Sequence, residues 1–310
     1  MNHSTKSVFG LMLAICAIST AAIFIRIAQI NLSSLIIATF RLLLSSLFLL
    51  PVFLLKNIPE IKQGIPVKTM MLIFFSGIFL AFHFLSWISS LEFTNITSSV
   101  VLVTTTPIWV SLISVLLLKE TVNKKFWAGL LISFLGSLII SMTDQNGMFT
   151  VSDHTARWSD NNLNGVVRGN LLALLGAWCA AGYVVIGKSV RKTVSTGVYI
   201  FLVYTSAALI LLLMVFISGQ SLGAVSPNDW IWLILLALIP QLIGHSLINW
   251  ALGVLPAAKV SISLLGEPVG ASLLALIFLR EVPTMGEVFG AALILCGIYL
   301  ALMTEKIKPS

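Results

Sequence analysis

The stretch PIWVSLISVLLLKE, residues 107–120, is answered further along the chain by PVGASLLALIFLRE, residues 268–281. Each copy opens on proline, runs through an apolar segment and closes on a basic–acidic pair, Lys119-Glu120 or Arg280-Glu281. The same offset of 161 residues carries Leu91 to Leu252, Ser111 to Ser272, Gly129 to Gly290 and Gly136 to Gly297. That period is too long for a solenoid and reads as a duplicated bundle. Two related halves embedded in apolar sequence are the arrangement of proteins that present one site to the two sides of a bilayer in turn.

Composition supports the bilayer. Hydrophobic residues are 58% of the 310 and charged residues 9%, and the mean hydropathy is +1.05. A soluble domain carries about 25% charged residues, so this chain lacks the means to cover a water-facing surface. The net charge of +7 bears on topology, because clustered cationic faces for nucleic acid are missing. Cys16, Cys179 and Cys296 all fall in apolar runs; no disulfide or metal spacing emerges, and buried small hydrophobes are expected. Met1 to Ala22 has the outline of a signal peptide, but the apolar run continues to about Ile30 and is read as a first span.

A span needs about 20 mostly apolar residues. Ten runs qualify: 8–29, 33–55, 69–90, 96–118, 126–142, 169–188, 197–218, 230–252, 257–279 and 286–303. The expected fold is therefore all-α and integral to the membrane, with ten transmembrane helices. With the N-terminus in the cytoplasm, thirteen Lys and Arg fall in inside segments and three (Arg157, Arg168, Arg280) outside. Both termini are placed inside by that bias, in the cytoplasmic membrane. Five spans per half is odd, so the second copy enters from the opposite side and the halves form two inverted five-helix repeats. The first occupies 1–142 and the second 169–310, with 143–168 an external connector. Asp144, Asp153, His154 and Asp160 in that connector read as solvated loop rather than a metal site.

Polar side chains inside spans are costly and mark a pathway by default. Glu267 lies near the middle of the ninth span, directly before Pro268, which breaks helix geometry. It is read either as part of a transport pathway or as a structural carboxyl pairing two helices. Lys259, Ser263 and Glu267 are spaced by four, as are Gln241, His245 and Asn249 in the eighth span, with Trp250 adjacent. The second stripe lines a cavity or bonds helices together. His83, Trp87 and Ser90 share a face of the third span, where Trp87 suits a planar ligand and His83 is a pathway or a satisfied core group. Arg41, a third of the way into the second span, needs Glu267, a substrate carboxylate or water as partner; Arg26 can snorkel. Trp178 and Tyr183 line a pocket or serve packing. Pro107 and Pro268 are expected helix breaks. Glu120 and Glu281, paired with Lys119 and Arg280, and Gly129, Gly136, Gly290 and Gly297 are read as architecture.

These residues resemble the drug/metabolite transporter superfamily, specifically its EamA type. The resemblance lies in the Pro-x12-Glu spans followed by Gly-x6-Gly spans in both halves. Local phrases add to it: SSVVLVTTTP (Ser98 to Pro107), NWALGVLP (Asn249 to Pro256) and LLGEPVGA (Leu264 to Ala271). It covers essentially the whole chain. It implies ten helices in inverted five-helix repeats around a central cavity, and carriage of small metabolites, often outward. It implies neither a substrate nor a catalytic signature.

The sequence thus predicts a secondary-active transporter, an exporter by preference, of small organic metabolites such as amino acids or aromatic compounds. Its partners are a small-molecule substrate, the lipid bilayer and protons as a coupling ion; no nucleic acid, metal or cofactor is expected. No GxxxxGK[ST] loop for ATP and no HExxH site is present, so an enzyme is not expected. A non-transporting scaffold or receptor, or an intramembrane enzyme, are the rivals. Monomer and homodimer are equally open.

Overall fold

A computed structural model of the chain describes residues 3–93, 99, 102–143, 163–223, 225–274, 276 and 284–302. Most of the connector, and Arg280 with Glu281, lie outside these residues. The described residues are helical with no strand. The helices are α1 (His3–Ile18), α2 (Ala21–Ala28), α3 (Ser34–Val52), α4 (Ile58–Lys62), α5 (Val67–Ser90), α6 (Thr106–Leu117) and α7 (Lys124–Thr143) in the first half. The second half has α8 (Leu163–Val190), α9 (Thr196–Ser218), α10 (Pro227–Leu236), α11 (Ser246–Val254), α12 (Ala257–Ser263), α13 (Glu267–Leu274) and α14 (Met285–Leu302). Among the described residues, six stretches are long and apolar enough to cross a membrane: Val8–Ala28, Ser34–Lys62, Val67–Ser90, Val167–Val190, Thr196–Ser218 and Pro227–Val254. Thr106–Leu117 and Val288–Leu302 are shorter apolar helices.

Helix ends follow local chemistry. The side chains of Ser33, Ser195 and Ser226 accept from the N–H three residues on and start α3, α9 and α10. Gly219, at φ +68°, closes α9 in the left-handed conformation. Among the described residues, the span Ser34–Lys62 carries a π-helical stretch, Phe53–Asn57, just after Pro51, and three further helical runs are irregular inside. The first is interrupted at Ser19-Thr20, whose hydroxyls reach the Ile15 and Ala17 carbonyls and so compete with the ladder. The span Pro227–Val254 carries a π-helical stretch, Ala237–His245, around Pro240. Between α12 and α13 the chain passes through a 3-10 turn, Leu264–Gly266.

The halves interleave. The span Val8–Ala28 packs on Pro227–Val254, α3 and α5 pack on α9, and α5 also lies along α8. Small residues allow the close crossings. A Cβ on Gly244 would strike Ile18, one on Gly182 would strike the Phe79 ring, and one on Gly77 would strike Ser206. The α7–α14 contact is closest: a Cβ on Gly129 would collide with the Gly297 carbonyl, and one on Gly136 with the Gly290 carbonyl. Gly290 and Gly297 are the repeat counterparts of Gly129 and Gly136, so the contact reads the same from either half. Between the two glycine pairs, Ser133 donates to the carbonyl of Ile294, its own counterpart, at 3.2 Å.

Several expectations need correcting. Cys16 and Cys296 are exposed and only Cys179 is buried, because their helices turn those faces outward. The Glu120 carboxylate does not serve its neighbour Lys119; it accepts from the N–H groups of Ala257 (2.9 Å) and Ala258 (3.3 Å) and caps α12. A helix start has unsatisfied N–H groups and a positive end, which a carboxylate answers better than a flexible lysine would. Glu60 does the same for α9, accepting from Ser195 N–H at 2.7 Å. Lys259, at the start of α12, donates to the Leu302 carbonyl at 3.3 Å.

Candidate functional site

A cavity with an empty volume of about 750 Å³, its open mouth included, lies where both halves contribute walls. Helices α1 and α2 supply Ile18 and Ala21, α3 supplies Arg41, α5 supplies His83 and Trp87, and Thr106 and Pro107 open α6. From the second half come Ala180, Tyr183 and Val184 on α8, His245 at the end of the π stretch, Ile248 on α11, and Leu264, Leu265 and Glu267 around the 3-10 turn. Apolar walls with a few convergent polar groups are the usual lining of a small-molecule site.

Arg41 is the dominant group. Its side chain is 1% exposed, and an unpaired charge in such a place is costly. Two contacts hold it: Nε donates to Gln241 Oε1 at 2.8 Å, and the guanidinium carbon lies 4.0 Å from the Phe84 ring centroid. Nη1 is buried without a partner in the protein. The π stretch places Gln241 beside Arg41 and His245 at the cavity wall, and such stretches recur at functional sites. Glu267 lies at the wall of the same cavity, with no hydrogen bond to the guanidinium.

His83 Nδ1 is 2.9 Å from the Gly176 carbonyl. A carbonyl only accepts, so Nδ1 carries the proton in this contact. Its ring lies 6.1 Å from that of Trp87 at an interplanar angle of 8°, and the Trp87 Nε1 donor is buried without a partner. Asn249 is fully buried; its amide donates to the Tyr183 hydroxyl and to the His245 carbonyl (2.8 Å).

Of the nine side chains singled out for the pathway, Arg41, His83, Trp87, Tyr183, His245 and Glu267 meet at this cavity. Gln241 and Asn249 stand behind the wall and hold its members. Trp178 does not join them. It is 59% exposed and packs on Trp109 with ring centroids 5.0 Å apart, because α8 turns that face away from the cavity. Ser90 is also elsewhere, bonded to Ser99.

The prolines act slightly differently from the expectation. Thr106 and Glu267 are the first residues of α6 and α13, with Pro107 and Pro268 in the first turn, where a missing N–H costs little. Glu267 itself is helical (φ −57°, ψ −47°); the irregular backbone is the turn before it. Phe84 and the Ser19-Thr20 interruption escaped the sequence reading. Phe84 gives no signal inside an apolar run, whereas adjacent hydroxyl residues in a span are a legible one.

An EamA-like transporter family model matches residues 5–142 and 167–303. An uncharacterized transporter of Synechocystis sp. is 28% identical over 233 residues, 72% of this chain and 63% of that protein, so the chain spans somewhat under two thirds of that relative. The uncharacterized transporter YdfC of Bacillus subtilis is 27% identical over 84% of this chain and 79% of its own length. A crystal structure of a protein shares the fold with a TM-score of 0.73, at 18% identity over 96% of each chain. With apolar spans throughout and a family match in each half, the chain is a multi-pass membrane protein that belongs to the EamA-like transporter family.

Proposed function

We propose that the protein is a secondary-active carrier, not an enzyme, that moves small organic metabolites across the cytoplasmic membrane by alternating access. Amino acids and aromatic compounds are the solute classes in view, and export is the direction. The observation that carries this reading is the cavity shared by both halves, with Arg41, Glu267, His83 and His245 at its wall. A scaffold has no need of buried charges around a void, and such groups are expensive unless used.

In this reading residues 1–142 and 169–310 are inverted repeats joined by an external connector, with ten spans and both termini cytoplasmic. The reciprocal glycine contact between α7 and α14 supports the inversion, since a two-fold relation makes each contact reappear with partners exchanged. The halves rock about the cavity, with the starts of α6 and α13 as the points of give. Protons are the coupling ion, with Glu267 as their carrier.

The test is flux. Purified protein in proteoliposomes is expected to exchange radiolabelled members of a panel of amino acids and aromatic metabolites, faster under an imposed pH gradient. A panel that nowhere exceeds protein-free vesicles sinks the reading.

A further inference from the structure

We infer that the cavity selects small organic acids, binding the substrate's carboxylate at Arg41 and its apolar or aromatic body along Trp87, Tyr183 and Val184. The inference rests on the carrier reading and names the substrate class for the same site.

Three observations converge on it. First, Arg41 is buried and held rigidly by Gln241 and Phe84, yet Nη1 has no partner in the protein. Second, the donors around it outnumber what the protein uses. Gln241 must present Oε1 to Arg41, since a guanidinium only donates; its Nε2 therefore remains a donor, buried and unpaired beside Arg41. The Trp87 Nε1 donor is unpaired at the cavity wall as well. Third, the remainder of the wall is largely apolar, with Ile18, Val184, Ile248 and Leu265 among its members. A planar anion accepting from several N–H groups, joined to a non-polar body, answers all three.

The competing choice is a cationic solute held by Glu267. The chemistry of the two charges decides between them. A guanidinium keeps its proton throughout the physiological range, so the buried cation calls for an anion whenever it is dry. A carboxyl can discharge itself by binding a proton, so Glu267 calls for no cation. The other titratable groups at the wall are His83, His245 and Tyr183. With those three neutral, a bound carboxylate and a protonated Glu267 leave the cavity without net charge.

The test uses the full-length protein in lipid nanodiscs with three ligands on one skeleton: 3-phenylpropionate, 3-phenylpropionamide and 3-phenylpropylamine. The acid is expected to bind at least tenfold tighter than the amide or the amine, by calorimetry or ligand-induced thermal shift. Comparing ligands on the unaltered protein removes any dependence on a variant's folding. Arg41→Gln, if it stays monodisperse, is expected to abolish the acid–amide difference. Equal binding of acid and amide, tightest binding of the amine, or no binding of the acid at millimolar concentration each overturns the inference. The carrier reading fails separately: an acid that binds without being moved in proteoliposomes refutes transport, whereas efficient flux of the amine refutes only the selectivity.

Discussion

Ser19 shares its single hydroxyl proton between the Ile15 carbonyl at 2.7 Å and the Glu267 carbonyl at 3.0 Å. The interruption of the first span is thereby tied to the first residue of α13, across the two halves. A Cβ added at Gly270 would run into that same hydroxyl, so Ser19 sits in a fitted slot. We predict that Ser19→Ala lowers unfolding stability by about 0.5–1.5 kcal/mol, the net worth of one hydrogen bond. Gly270→Ala should cost more by displacing the serine. Thermal unfolding in detergent reads both, and an unchanged midpoint for the pair would remove the tie from the account.

Gln241→Leu is expected to destabilise by about 1–3 kcal/mol, because it strips the Nε partner from a buried guanidinium. Gln241→Glu keeps an acceptor and adds an opposite charge, so it should retain more stability than the leucine variant. A leucine variant as stable as the parent in a chemical melt would show that Arg41 finds another acceptor.

At the α7–α14 crossing, Gly129→Ala and Gly297→Ala each drive a methyl into the facing backbone. Overpacking of this kind costs about 1–3 kcal/mol. Gly165→Ala meets nothing within 4 Å and serves as the control, expected to leave the midpoint unmoved or slightly raised. Equal behaviour of all three would contradict the close approach.

The carboxylate of Glu120 caps α12 with two N–H contacts. Glu120→Ala should cost about 0.5–2 kcal/mol, the range of a lost N-cap, and Glu120→Gln less, since an acceptor remains. Raising ionic strength should narrow the gap between parent and Gln variant if charge contributes, which salt-dependent melting curves will show.

For transport, Glu267→Gln is predicted to retain solute exchange while losing its response to a pH gradient. Trp178→Leu is predicted to change flux by less than about twofold, in keeping with its place outside the cavity and the cost of roughly 1.4 kcal/mol that a tenfold loss would represent. A gradient response that survives in the Gln variant would falsify the assignment of the proton carrier.

Much of this was readable from the chain because membrane burial is unforgiving. Arg41, Glu267 and the Gln241–His245–Asn249 stripe stand out against apolar surroundings, and all five stand at one cavity or in its backing. Trp178 failed the same reasoning because tryptophan is at home on either side of a helix, in a pocket or against lipid. Glu120 was assigned the wrong partner because sequence neighbours are visible and helix ends of the other half are not. The cysteines misled for a similar reason: in a bilayer an apolar run says nothing about which face looks inward.

The carboxylates of Glu60 and Glu120 satisfy backbone groups at residues 195, 257 and 258. During synthesis the first half therefore leaves the ribosome with acceptors whose donors have not yet been translated. Its inner surfaces stay unmatched until the second half follows, and the glycine track of α7 until α14 does. Closure of the molecule therefore waits on the second half, and a ribosome stalled before residue 257 would hold a half that has no finished counterpart to grip.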